Sequence, residues 1–182
     1  PQPVWQRFLW RAPWLVVTLF AGLVTAGALS YFRESTWFAF VALFVPLIAG
    51  MSGNVGIQCS TVVVRAISNG EISLGNAREA VLEELRVGGT IALLFGSVCG
   101  FVVYALNFMM TAGDGGAIHP LGISLVVGLG LFGACMIASC IGTIAPFVFA
   151  RLRIDPAIAS GPIVTACNDV LSTMMYIWIA KL

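Results

Sequence analysis

Charge is the scarcest property of this sequence. Only 9% of its 182 residues are charged, whereas 59% are hydrophobic, and soluble domains carry about 25% charged residues. A water-soluble globule of this length could not bury so much apolar surface. The net charge of +1 provides no basic surface of the kind that binds nucleic acid, so no nucleic-acid partner is predicted.

Histidine and paired cysteine motifs are also scarce. There is one histidine, His119, which is predicted to be a solvated loop residue, and there are five cysteines without a CxxC pair. This pattern argues against zinc, copper or iron sites and against a disulfide framework, so the cysteines are predicted to be packing residues. No Ser–His pairing, His/Glu metal motif or phosphate-binding glycine loop is present, so no enzyme is predicted.

Four long uncharged runs, and a fifth apolar segment whose only charged residue is Asp169, dominate what remains. Each has the ~20 residues needed to cross hydrocarbon. The runs are continuously apolar rather than alternating, which indicates helices. We therefore predict an all-α membrane protein with an interfacial or linker segment at residues 1–11 and a five-helix transmembrane domain at residues 12–182. The predicted spans are Ala12–Phe32, Trp37–Val64, Val87–Gly113, Leu121–Ala150 and Pro156–Ala180.

Basic residues are distributed unequally between the two sides of such a topology. Five spans place the termini on opposite sides, and seven of the nine basic residues then fall on the side of the N-terminus. The positive-inside rule predicts a cytoplasmic N-terminus and an external C-terminus. The seven residues are Arg7, Arg11, Arg65, Arg78, Arg86, Arg151 and Arg153.

Connecting segments give further expectations. The short Tyr31–Thr36 turn predicts that the first two helices are antiparallel neighbours. Asp155 before Pro156 is typical of an N-cap followed by proline at the first helical position. The Met109–Pro120 loop is predicted to be external and flexible. A start at Pro1 without methionine predicts a piece of a longer protein.

Asp169 is the most informative residue, because it is the only charged side chain between Pro156 and Ala180. Gly161, Thr165, Thr173 and Tyr176 share its helical face, and Ser172 is adjacent, which makes a small and polar stripe. No basic residue lies in the other spans, so Asp169 is either protonated or meets a cation from solution.

Charge matching suggests how a cation would be held. Two Asp169 carboxylates facing each other across a two-fold axis would match one divalent ion, which predicts a homodimer. Oxygen ligands suit Mg²⁺ or Ca²⁺, and Mg²⁺ would keep most of its waters because it dehydrates reluctantly.

The second span carries amides and glycines at mid-membrane depth. Pro46 is followed by Gly50, Gly53, Asn54, Gly56 and Gln58. One interpretation is an interrupted helix that lines a pore with Gly53, Asn54 and Gln58. The other interpretation is a kinked helix whose amides bond to neighbouring helices.

Two other patterns leave alternatives open. Glu79, Glu83 and Glu84, after a capping-box-like Asn76, predict either a solvated helix entrance or a metal-sensing or docking surface. Gly96 with Gly100, and Ala134, Ala138 and Gly142, predict close helix contacts, either within the chain or in a dimer.

Two motifs resemble signatures of MgtE-type magnesium channels. The second-span sequence from Pro46 to Gln58, followed by Arg65, resembles that family's second helix. Asp155-Pro156-Ala157, then Gly161-Pro162 and Asn168-Asp169, resembles its fifth helix. The resemblance covers nearly the whole chain from about Trp10.

This resemblance implies a homodimeric Mg²⁺ channel of the plasma membrane, which is the inner membrane in a Gram-negative source, with a pore lined by the second and fifth helices. By this resemblance, the family's pore aspartate corresponds to Asp169, and the backbone carbonyl that helps to hold the hydrated ion corresponds to Thr165. A further pore position corresponds to Gly161, where some relatives have a side-chain amide. Family members usually carry a cytoplasmic N-terminal domain and CBS modules before the first span, which sense intracellular Mg²⁺ and close the pore. This sequence holds neither, which predicts either a cut transmembrane domain or a natural short form. In both cases a pore without that feedback is predicted.

The ion preference stays open among Mg²⁺, Ca²⁺, Mn²⁺ and Co²⁺. Asp169 could also be the coupling site of a proton- or sodium-driven secondary transporter. A purely structural membrane subunit is a third interpretation. It predicts that replacing Asp169 leaves ion flux unchanged.

Overall fold

The computed structural model describes residues 3–35, 37–72, 77–111 and 120–182. Across these residues the chain forms five α-helices and no strand, which confirms the predicted all-α architecture with five helices. All five are long and apolar enough to span a membrane. His119, Asn76 and residues 112–119 of the predicted external loop lie outside the described residues. The helices are α1 (Val4–Tyr31), α2 (Phe38–Ser68), α3 (Ala77–Thr111), α4 (Pro120–Arg151) and α5 (Pro156–Lys181).

The helix ends follow the local sequence. Asp155 is the N-cap of α5, where its Oδ1 accepts a hydrogen bond of 2.9 Å from the Ala157 N–H, and Pro156 follows in the first turn. This confirms the predicted cap. At the other end of the chain, α1 begins at Val4 and continues without a break from the predicted interfacial or linker segment into the first predicted span. The division of the chain at residue 11 stays a prediction.

α4 is the central helix of the bundle. It packs against α2, α3 and α5, and its Leu131, Ala134, Cys135 and Ala138 are fully or almost fully buried. α2 also packs on α5, whereas α1 packs along α5 alone and buries little of its apolar surface.

The prediction that α1 and α2 are antiparallel neighbours is wrong. α1 contacts α5 and barely touches α2, although only a short turn joins them. A short turn holds two helix ends together, but it does not make the helices pack. The side of α2 that carries Ser52, Gly53 and Gly56 packs on α4 and α5, which leaves α1 on the outside of the bundle.

Glycines set the closest helix contacts. A Cβ on Gly96 of α3 would lie 2.9 Å from the Gly128 carbonyl oxygen of α4, which is too close for a side chain. A Cβ on Gly142 of α4 would collide with the Gly56 carbonyl of α2. The predicted small-residue stripes therefore make contacts within one chain, because they let the backbones approach closely.

α2 is one continuous helix, so the prediction of an interrupted helix is wrong. It runs from Phe38 to Ser68 through Pro46 and all its glycines. Proline removes one backbone hydrogen bond, and membrane helices tolerate this where neighbouring groups compensate. Gly53 lies against α5 and Gly56 against both α4 and α5, whereas a Cβ on Gly50 would meet no atom within 4 Å.

Candidate functional site

A polar contact joins α2 and α5 near the middle of both helices. Asn168 is fully buried, and its Nδ2 donates to Ser52 Oγ at 3.1 Å and to the Ala49 carbonyl oxygen at 3.4 Å. Gly53 lies directly against this amide, since a Cβ there would sit 3.5 Å from Nδ2. The contact fixes the rotation of α5 against α2.

Asn168 also anchors the next turn of α5. Its backbone carbonyl accepts a hydrogen bond from Ser172 Oγ, and Ser172 is fully buried. Ser52 in turn donates its hydroxyl hydrogen to the Ile48 carbonyl at 2.7 Å. Within the described residues the Asn168 Oδ1 has no hydrogen-bond partner.

Asp169 follows Asn168 directly and is therefore held by this contact. It is half-buried near the middle of α5, at the depth of Ala49 and Ser52 of α2. It has no ion pair with any residue that the structure describes. Among all the residues that the structure describes, no three His, Cys, Asp or Glu side chains lie close enough together to form a metal site. One protomer thus supplies one carboxylate at this point.

The residues one and two turns before Asp169 remain accessible. Thr165 and Gly161 are half-buried, and a Cβ on Gly161 would meet no atom within 4 Å. The Thr165 hydroxyl donates to the Gly161 carbonyl at 3.0 Å. Gly161, Thr165 and Asp169 therefore form an open, oxygen-bearing strip, called here the α5 strip.

Thr173 and Tyr176 differ from the α5 strip although the sequence predicts them on the same face. Thr173 is 2% exposed and Tyr176 is 0% exposed. The Tyr176 ring packs against Gly130 of α4, where no side chain could fit. The accessible part of this face therefore ends near Asp169 in the isolated protomer, and a pore-lining role for Thr173 stays a prediction.

The predicted residues of α2 also separate into two groups. Gly53 is buried against Asn168, so it serves the contact between α2 and α5. Asn54 and Gln58 are exposed, and their spacing places them in line with the exposed Thr61 and Arg65. We call Asn54, Gln58, Thr61 and Arg65 the α2 polar face. Neither amide has the helix-to-helix hydrogen bond of the kinked-helix interpretation among the described contacts, and a pore-lining role for Gly53, Asn54 and Gln58 stays a prediction.

The three glutamates at the start of α3 do not form one surface. Glu79 and Glu83 are exposed, whereas Glu84 is half-buried and lies beside Cys59 of α2. Ser139 and Thr143 of α4 also lie beside that thiol. A sensing or docking surface would therefore have two carboxylates rather than three. All five cysteines are free; Cys59 and Cys135 are buried, and the other three are half-buried.

Sequence reasoning missed the structural importance of Asn168 and Ser52. In the sequence, Asn168 stands out only as the neighbour of Asp169, and Ser52 only as part of the α2 motif. A signal was available, because two uncharged polar residues in mid-span predict an interhelical hydrogen bond. The partner helix could not be read from the sequence.

Comparison with known proteins identifies the family. The family model of MgtE, described as a divalent cation transporter, matches residues 45–179, which includes α2 from Val45 and nearly all of α5. The chain belongs to the MgtE family. Together with the five spanning-length helices, this makes it a multi-pass protein of the plasma membrane, as predicted.

Individual relatives show the same similarity. The magnesium transporter MgtE of Bacillus subtilis is 34% identical over 171 residues, which are 93% of this chain and 36% of that protein. The magnesium transporter MgtE of Thermus thermophilus is 35% identical over 178 residues, or 96% of this chain and 37% of that protein. The chain thus spans little more than a third of the length of these relatives.

Proposed function

We propose that this chain forms a magnesium channel, in which two copies conduct hydrated Mg²⁺ past a pair of Asp169 carboxylates. The observation that carries the proposal is the position of Asp169: a half-buried carboxylate at mid-span, without an ion pair among the described residues, and held by the contact of Asn168 with α2. Relatives named as magnesium transporters support the choice of ion.

A dimer is supported by the surface that one protomer leaves open. The amides of Asn54 and Gln58 are exposed on a spanning helix, and polar side chains facing hydrocarbon are unfavourable. A second copy that covers the α2 polar face and the α5 strip would give these groups water instead of lipid. It would also supply the second negative charge that a divalent cation requires.

Hydrated Mg²⁺ fits the available oxygens. Mg²⁺ usually keeps several of its waters, and the α5 strip offers one carboxylate, a threonine and backbone carbonyls rather than a closed cage. Selectivity would then depend on the width of the pore and on where these oxygens meet the hydration shell. Ca²⁺ and Mn²⁺ are the competing ions.

The orientation with a cytoplasmic N-terminus is part of the proposal. Arg65 and Arg151 are exposed in the last turns of α2 and α4, so both can reach the same membrane surface. The N-terminal parts of α1 and α5 lie together, as expected if both helices cross in the same direction. The positive-inside rule assigns this arginine-rich side to the cytoplasm.

Mg²⁺ influx into proteoliposomes tests the proposal. We expect flux through the unaltered chain to fall to the level of empty liposomes in Asp169→Asn at equal incorporation. Glu34→Gln, which makes the same change at an exposed carboxylate between α1 and α2, should conduct normally. Equal flux in Asp169→Asn and the unaltered chain would remove Asp169 from the mechanism.

A proton- or sodium-coupled transporter is the competing function, because a carboxylate without an ion pair in the membrane can also bind a proton. A channel conducts Mg²⁺ down its own gradient when no pH or sodium gradient is present. Flux that requires either gradient would support the transporter instead.

A further inference from the structure

A cleft separates the N-terminal parts of α1 and α5. Its volume is about 640 Å³, within the roughly 300–1,000 Å³ range of small-molecule sites. Trp10, Arg11 and Trp14 line it from α1, and Ile158 and Pro162 line it from α5. Since these are the first turns of α5 and the early turns of α1, the cleft lies where spanning helices enter the membrane.

The cleft combines one basic side chain with aromatic and apolar side chains. Arg11 is the one charged residue among those that line the cleft. Its side chain is exposed, and it has no ion pair within residues 3–35, 37–72, 77–111 and 120–182. Around it are two tryptophans, a residue type enriched at the level of lipid headgroups. A guanidinium prefers phosphate because its planar fork matches two phosphate oxygens.

Pro162 adds a hydrogen-bond acceptor. Proline has no N–H, so the Ile158 carbonyl four residues earlier lacks its usual donor within the helix. Both residues line the cleft. The cleft thus combines a cation that lacks an anion, an acceptor that lacks its helical donor, and apolar walls.

We propose that this cleft binds an anionic glycerophospholipid whose headgroup carries a hydroxyl, as phosphatidylglycerol does. Arg11 would bind the phosphate, the Ile158 carbonyl would accept from a headgroup hydroxyl, and the tryptophans and Pro162 would contact the upper acyl chain. Free phosphate would bind Arg11 but would leave the apolar walls of the cleft exposed to water. A second copy of the chain would have to bury Arg11.

Such a lipid would also touch the ion pathway. Pro162 adjoins Gly161 of the α5 strip, so a bound lipid contacts α5 within one residue of the proposed pore surface. We therefore expect Mg²⁺ flux to rise with the fraction of phosphatidylglycerol in the membrane. This consequence rests on the proposed function, whereas lipid binding itself does not.

Native mass spectrometry of the detergent-purified chain, titrated with phosphatidylglycerol or phosphatidylcholine, tests the binding. We expect phosphatidylglycerol to bind more tightly, and Arg11→Gln to weaken it about tenfold because one charge-assisted interaction is lost. Arg33→Gln is the control, since Arg33 is an exposed arginine between α1 and α2. Ala157→Phe, at a further lining residue, should also weaken binding because it fills the cleft while keeping Arg11.

Three outcomes would overturn the proposal. Equal binding of the two lipids would remove the role of headgroup charge. Unchanged binding in both Arg11→Gln and Ala157→Phe would place the lipid elsewhere. Displacement by millimolar inorganic phosphate would show a phosphate site that does not need a lipid. Because mass spectrometry measures binding without flux, these results are independent of whether Asp169→Asn conducts.

Discussion

The contact between α3 and α4 and the contact between α2 and α5 both bring two helices close together, but they use different residues to do so. In the first, Gly96, Gly100 and Gly128 bring two backbones together, and the atoms nearest to these glycines are backbone atoms and the Phe132 Cβ. In the second, Gly53 makes room for a buried amide, and Asn168 bonds to Ser52 and the Ala49 carbonyl. Both are close contacts, but the second lies beside a carboxylate, that of Asp169.

This difference shows what each contact can contribute. Glycine contacts in membranes contribute van der Waals packing, which stabilises the bundle but leaves helices free to rotate slightly. A buried amide has directional bonds, so it also fixes rotation, although an interhelical hydrogen bond in a membrane is worth only about 0.6 kcal/mol on average. The contact between α2 and α5 should therefore matter more for the position of Asp169 than for stability.

The largest expected effect comes from breaking the glycine contact. In Gly96→Val the new side chain meets the Gly128 carbonyl oxygen at 2.9 Å and the Phe132 Cβ at 3.1 Å, so α3 and α4 must separate. We expect the yield of monodisperse protein in size-exclusion chromatography to collapse. Gly22→Val is the control, because a Cβ there meets nothing within 4 Å. Normal yield of Gly96→Val would contradict the assigned contact.

Breaking the polar contact should reduce transport more than stability. We expect Asn168→Ala to lower Mg²⁺ flux about tenfold, equivalent to about 1.4 kcal/mol of lost ion stabilisation, because Asp169 loses its positioning neighbour. Thermal unfolding in detergent should show a loss of only about 1 kcal/mol.

A double-mutant cycle of Asn168→Ala with Ser52→Ala distinguishes the effect of the hydrogen bond between these side chains from their separate effects. If the two side chains act through their hydrogen bond, the double variant should be no worse than Asn168→Ala alone. Additive losses would mean that Asn168 and Ser52 act separately, and the contact would not explain the position of Asp169.

The α2 polar face offers a smaller test of the same comparison. If Asn54 faces a water-filled pore, Asn54→Leu should lower Mg²⁺ flux several-fold and leave thermal stability unchanged. If it faces lipid, leucine should instead raise stability and leave flux unaltered, since apolar side chains are favoured in hydrocarbon. Val62→Leu is the control on the same helix, because Val62 is already apolar and 42% exposed.

The sequence predicted the number and approximate bounds of the helices, because uncharged apolar runs of this length are typical of membrane-spanning helices and of little else. It also singled out Asp169, since one carboxylate in an apolar span is conspicuous, and the role of Asp169 at an ion site stays a prediction. It failed to predict that α1 packs on α5 and that Thr173 is buried, because helical periodicity defines faces without saying which neighbour covers each one. The roles of Gly53 and Asn54 could be separated only once Asn168 was seen to bind α2.

The smallest effect is expected at the other aspartate of α5. Asp155 accepts from the Ala157 N–H at 2.9 Å and is exposed, so its role is to cap the helix rather than to hold an ion. Asp155→Ala should cost about 1 kcal/mol of stability in thermal unfolding, with little change in Mg²⁺ flux per folded protein. Asp155→Asn should restore the stability, because asparagine is an equally good cap. If Asp155→Ala lost flux as fully as Asp169→Asn, a negative charge at the entrance of α5 would be required for conduction, and the polar contact at mid-span would no longer distinguish the functional part of this helix.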